Sequence, residues 1–199
     1  MAPHIRSIGL TLALALAAAG SAQAQLVTTT RSLHGFAGFG LMGGGKTLAT
    51  VQYTNGETSK VHSGGLVDLR VGMDWHTPGS PFALQASVGY FVDRNSASNG
   101  SVRFQRYPFE LLGYGYIGEK VRLGGGLRAT TGAKLTGNGF ASNVGSTSFK
   151  TSAGLVVEGE YFATRYVGIT GRFVSETYKA PNGAKISGDH IGARANFYF

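Results

Sequence analysis

An all-β fold, an eight-stranded antiparallel transmembrane β-barrel following a cleaved N-terminal signal peptide, is the class this sequence predicts, and three observations predict it. Apolar and polar residues alternate with period two along most of the 199 residues. The segments carrying that alternation are joined by short and longer connections in turn. The chain also begins with the organisation of an export signal.

That signal comes first. His4 and Arg6 make a polar, basic start, and an apolar run follows from Ile8 through Leu16 to Ala19. Ala22-Gln23-Ala24 then supplies the small-x-small pattern that a signal peptidase accepts. The run is too short to cross a bilayer as a helix. Cleavage is expected after Ala24. Residues 1–24 are then the signal peptide, 25–32 a short periplasmic segment and 33–199 the barrel. Losing Arg6 lowers the formal net charge from +8 to +7.

Composition narrows the rest. The chain has no cysteine, which excludes a disulfide framework and thiol chemistry. No helix-period apolar segment of about 20 residues follows the signal, so a helical membrane protein is excluded. A basic exported chain rarely meets nucleic acid. Membrane lipid and the anionic phosphates of lipopolysaccharide are the expected partners.

The strands follow from alternation. Val67, Leu69, Val71, Met73 and Trp75 face one way, and Asp68, Arg70, Gly72 and Asp74 the other. Val121, Leu123, Leu127 and Ala129 oppose Arg122, Arg128 and Thr130, while Leu155, Val157 and Tyr161 oppose Val156, Glu158 and Glu160. Val167, Ile169 and Phe173 oppose Gly168, Thr170 and Arg172. Eight segments result, near 33–43, 62–75, 82–93, 101–117, 120–132, 149–162, 166–178 and 187–199. The links at 76–81, 118–119 and 163–165 are short. Those at 44–61, 94–100, 133–148 and 179–186 are mostly longer and rich in Gly, Ser, Asn and Lys, so they read as loops.

A soluble β-sandwich would turn the charged face outward and the greasy face inward. Two features favour the membrane. Trp75, Phe82, Tyr161, Tyr166, Phe197 and Phe199 gather beside the short turns, where an interfacial aromatic girdle belongs. Lysines sit in loops or at strand ends, whereas most arginines sit mid-strand among acids. A dry interior favours Arg, whose planar fork can bind a carboxylate at two points.

The chain's end is the most specific feature. Ile191-x-Ala193-x-Ala195-x-Phe197-x-Phe199 resembles the terminal strand of bacterial outer-membrane barrels. With eight strands and an export signal, residues 33–199 resemble the small OmpA-type and OmpX-type barrels of the porin-like β-barrel class. The resemblance implies the outer membrane of a Gram-negative bacterium, with both barrel ends periplasmic. It also implies that Phe197 and Phe199 form the signal read by the barrel-assembly machinery. It does not by itself imply an activity.

With the greasy face on lipid, the inward set comprises Asp68, Arg70, Asp74, Asp93, Arg106, Glu110, Arg122, Arg128, Glu158, Glu160, Arg172, Glu176 and Arg194. An eight-stranded barrel has room only for its own side chains, so these residues are expected to form a paired ionic plug and not a pore. Lys46, Lys60, Arg94, Lys134, Lys150, Lys179 and Lys185 form a basic outer rim facing lipopolysaccharide.

A lipid A deacylase or acyltransferase is the alternative, with a narrow channel third. Such an enzyme needs a His base and a nucleophile, and His62 and His190 are its candidates. Ser63 adjoins His62 on the opposite face, and Asp189 and Ser187 lie across from His190, so neither forms an obvious pair. No cofactor or metal spacing is present. Gly43-Gly44-Gly45-Lys46-Thr47 lacks the glycine spacing of a phosphate loop and is read as a flexible loop. The expectation is a structural or surface-interaction protein and not an enzyme.

Overall fold

The computed structural model describes residues 33–52, 58–97, 100–139 and 145–199. The expected signal peptide and the 25–32 segment lie outside the described residues. Strands β1 (Leu33–Gly44), β2 (Thr47–Gln52), β3 (Thr58–His62), β4 (Leu66–His76) and β5 (Phe82–Ala97) come first. Strands β6 (Gly100–Ile117), β7 (Val121–Gly139), β8 (Ser146–Ser148), β9 (Lys150–Thr151) and β10 (Gly154–Thr164) follow. The chain ends with β11 (Val167–Ser175), β12 (Thr177–Lys179), β13 (Lys185–Ser187) and β14 (His190–Tyr198).

Eight of these strands form one closed antiparallel barrel in the order β1-β4-β5-β6-β7-β10-β11-β14. Closure comes from β14 on β1, with Ala37 opposite Phe197 and Leu41 opposite Ala193. A closed sheet leaves no barrel edge with unpaired backbone groups, a condition for crossing lipid. The chain is therefore an eight-stranded transmembrane β-barrel.

Its faces are inverted relative to a soluble protein. Leu69, Val71, Met73, Leu111, Leu127, Val157, Ile169 and Phe173 all lie on the exposed exterior, Leu127 at 60%. Apolar exposure around a whole barrel far exceeds what a soluble monomer tolerates. Trp75, Phe82, Tyr161, Tyr166, Phe197 and Phe199 are likewise exposed, on the rim beside the short turns. The sandwich alternative would require these side chains inside, and it fails on that count.

At the other end the strands differ from expectation. β5 and β6 run through 94–97 and 100–103, and β7 continues to Gly139, so much of what read as loop is sheet. The reason lies at Gly132. Its φ of +62 marks a bulge, and the β6–β7 register shifts between Gln105 and Tyr107. Beyond it the alternation changes phase, so that Ala133 and Leu135 are buried and Lys134 is exposed. A period-two reading loses the strand at that point. The segment expected as one strand over 62–75 also divides. β4 starts at Leu66, and the β2–β3 hairpin folds separately.

The extensions have their own core. Val61, Val102, Phe104, Ala133, Leu135 and Tyr178 are buried together, with Leu48, Phe149 and Ile186 against them. Segments that read as loops thus form an apolar patch, folded inward and assembled from residues far apart in sequence.

Gly132→Val should destabilise the barrel by about 1–2 kcal/mol, because a β-branched residue is strained at positive φ. Its Cβ would also meet the Tyr107 ring at 2.9 Å. The temperature at which the compact band is lost on unboiled gels should fall. Gly171→Ala, where a Cβ meets nothing within 4 Å, should leave that temperature unchanged.

Candidate functional site

Twelve of the thirteen charged residues expected inside, six arginines and six acids, are buried together in the lumen. They stack at three levels along the barrel axis.

Nearest the short turns, Arg122 of β7 lies 2.8 Å from Asp74 and 2.7 Å from Glu160, and donates to the Tyr198 hydroxyl at 2.7 Å. Its guanidinium sits 4.0 Å from the Tyr114 ring centroid. The middle level centres on Glu110 of β6. Arg70 approaches Glu110 at 2.5 Å, and Arg128 and Arg172 each approach at 2.8 Å. Asp68 and Glu158 share Arg172 and Arg194 at 3.5–3.7 Å. At the outer level Glu176 accepts from Arg128 Nε at 3.1 Å and from the Thr130 hydroxyl at 2.9 Å. Burial pushes the Tyr178 phenol up, and that hydroxyl donates to Glu176 at 2.5 Å.

The levels connect. Arg128 bridges Glu110 and Glu176, while the Tyr114 hydroxyl donates to Glu158. Gln85 donates to Asp74 at 3.1 Å. Gln85, Tyr114, Thr130, Asn196 and Tyr198 belong to this network but were absent from the expected set. Each lies at an inward position, so strand parity alone could have found them. Tyr114 has its place because its ring lies across Gly124, where any Cβ would collide with it.

Asp93 is also buried, but it accepts from the His62 backbone amide at 2.8 Å and stands apart from the ion pairs. This bond helps hold the β2–β3 hairpin over the outer mouth. There Arg106 donates to the Ser63 carbonyl, and the Ser63 hydroxyl donates to Ser187 O at 2.6 Å. Arg106 itself lies 3.9 Å from the Phe91 ring centroid.

The basic rim is carried mostly on strands, with Lys150, Lys179 and Lys185 at strand ends. Lys60, Arg94, Lys134, Lys150, Lys179 and Lys185 lie on strands and not in loops, and only Lys46 sits in a link. The strands put them in register. Lys179 lies directly opposite Lys185 on one side and Lys150 on the other. Lys134 pairs with Ser148, two residues from Lys150, and Arg94 lies opposite Arg103. All of these cations are exposed. Directly opposed strand residues have Cβ atoms about 5 Å apart, and like charges there repel. Among the described residues, every ion pair takes its cation from an arginine, never from these lysines.

His190 is buried, its Nδ1 2.7 Å from the Gly188 carbonyl oxygen. Asp189 is exposed and accepts from the Ser175 hydroxyl at 3.0 Å. His62 is half-buried on β3. His34 and His76 lie at the short-turn mouth.

The Ail protein of Yersinia pestis, its attachment invasion locus protein, is 15% identical. It aligns over 84% of this chain and 97% of its own, with a TM-score of 0.50. The fold is that of the small outer-membrane barrels. Neisserial surface protein A is 11% identical, over 85% of this chain and 98% of its own, with a TM-score of 0.49. No family model matches the chain, and no curated protein matches it.

Glu110→Leu leaves three arginines around an uncharged residue, and Arg172→Leu strips Glu110 of one partner. Each should leave insertion intact and cost about 3–5 kcal/mol, the range for breaking a buried pair. Thermal unfolding followed by gel mobility checks both. An unchanged midpoint for both would refute the network's role in holding the barrel.

Proposed function

We propose that this protein resides in the outer membrane of a Gram-negative bacterium, with its short turns and both barrel ends in the periplasm. There it serves as a structural, surface-interaction barrel whose outer face binds lipopolysaccharide phosphates. The observation carrying this reading is the Lys150–Lys179–Lys185 row with Lys134 beside it. Three paired strands place like charges side by side, an arrangement that an anion bound across them would relieve. The opposite end supports the orientation: Gly35 and Phe199 exchange backbone hydrogen bonds beside the aromatic rim, so both barrel ends share the short-turn side. Phe197 and Phe199, both exposed to lipid, are the residues the assembly machinery would read.

The role is non-enzymatic and non-conducting in this reading. The described lumen is crossed by paired side chains at every level. At the outer end the Ser63 hydroxyl is committed to a backbone carbonyl, and the His190 ring is buried. The alternative, a lipid A deacylase or acyltransferase, finds no histidine hydrogen-bonded to a serine hydroxyl among the described residues.

Each lysine near an anionic surface contributes about 1 kcal/mol, so Lys150→Gln/Lys179→Gln/Lys185→Gln should weaken lipopolysaccharide binding on the order of a hundredfold at low salt. Titration of the purified barrel with lipopolysaccharide, and with its dephosphorylated form, reads this. Equal affinity of wild type and variant would remove the reading. Lipid A mass spectra from cells with and without the protein should be identical. A mass difference of one acyl chain would make it an enzyme.

A further inference from the structure

The short-turn mouth holds a cavity of about 370 Å³ that the lumen network and the basic rim leave unused. It lies between the turns at 77–81, 118–120 and 165–166, within the usual size range for a small-molecule site. Tyr116 and Phe162 stack in its wall, with ring centroids 6.3 Å apart at an interplanar angle of 15°. The His76 ring lies against Tyr116 at 4.8 Å. Deeper in, Asp74 and Tyr198 are committed to Arg122.

Two opposite charges line this cavity without satisfying each other. Oε2 of Glu119 is buried and has no hydrogen-bond partner among the described residues. Arg165 lies on the neighbouring turn, and the Phe162 amide donating to Lys120 O at 2.8 Å ties the two turns together. Even so, no ion pair joins Arg165 to Glu119, and its guanidinium rests 4.6 Å from the Tyr166 ring centroid. A carboxylate oxygen left without a donor is unfavourable. A ligand that brings its own ammonium would supply that donor.

We propose that this mouth binds a small zwitterion of the amino-acid or dipeptide class. The ligand's ammonium meets Glu119, its carboxylate meets Arg165, and an apolar side chain lies on the Tyr116–Phe162 stack. A simple cation would leave Arg165 unused, and a simple anion would leave Glu119 bare. The orientation proposed above decides only that the ligand is met in the periplasm. The chemistry of the mouth does not depend on it.

The probe is the dipeptide Ala-Phe, titrated calorimetrically into the full barrel in detergent micelles. N-acetyl-Ala-Phe and Ala-Phe amide serve as controls. Ala-Phe should bind saturably, and each capped form at least tenfold more weakly. Glu119→Gln should weaken Ala-Phe to the level of the acetylated peptide and leave that peptide's own affinity unchanged. Arg165→Gln should behave the same way toward the amide. Both variants lie in turns, and their gel mobility before boiling checks folding. The capped peptides test the proposal on the wild type alone. No saturable binding of Ala-Phe, equal affinity for the capped forms, or unchanged affinity in both variants would overturn it. Insertion in the opposite sense would leave these affinities intact and would be read separately, by labelling outer lysines on whole cells.

Discussion

The meeting of three arginines on Glu110 is the interaction that the rest of this molecule depends on. An eight-stranded barrel cannot build a hydrophobic core in the usual sense, because its apolar side chains are already directed at lipid. Its interior is dry and narrow, and it must be filled. Arg70, Arg128 and Arg172 reach Glu110 from three other strands, so one carboxylate ties together β4, β6, β7 and β11. Each of those charges would be costly alone in such a space. Six arginines matched by six acids keep the network neutral, and its cross-strand bonds brace the wall that backbone pairing closes.

That filling determines where chemistry can happen. The middle of the barrel is occupied by groups already engaged with one another, so ligands can be met only at the ends. The two ends are built differently. At the short-turn end the tight turns leave a mouth lined with rings, Glu119 and Arg165. At the other end the strands run on past the apolar band and fold over a small apolar core of their own. Arg106 there lies against Phe91, and the Ser63–Gly65 bend brings the β2–β3 hairpin across the opening. The extension is what makes the basic rim a patterned surface: lysines carried on paired strands have fixed neighbours, whereas lysines on free loops would not.

The central spans of the strands were legible because a barrel wall separates lipid from lumen residue by residue. Val67 to Trp75 shows this directly. Membership of the ionic plug was legible for the same reason: parity places a side chain inside without reference to any partner. The partners themselves were not legible. That Glu110 meets Arg172, 62 residues away, is set by closure of the whole sheet. The outer extensions were lost for a local reason. One positive-φ glycine at 132 reverses the phase, and segments rich in Gly, Ser and Asn carry too little apolar contrast to announce a new one. The apolar core above the membrane was hidden because Val61, Phe104, Phe149 and Tyr178 come from separate segments, and none of those segments shows a patch by itself.

The sorting of cations follows from the same physics and links the lumen to the rim. A guanidinium is weakly hydrated and can bind two carboxylates in its own plane, so it survives burial where an ammonium would not. Arg122 uses both properties at once, spanning Asp74 and Glu160 while its flat face rests on Tyr114. An ammonium stays hydrated and keeps its charge at the end of a flexible stem, which suits contact with a wet and variable array of phosphates. Lys134, Lys150, Lys179 and Lys185 all point away from the barrel, on strands whose opposite faces bury Leu135 and Tyr178 and half-bury Ile186. Alternation therefore acts twice in one strand pair: it fastens the extension to its core, and it holds the like charges on the outside in a fixed row.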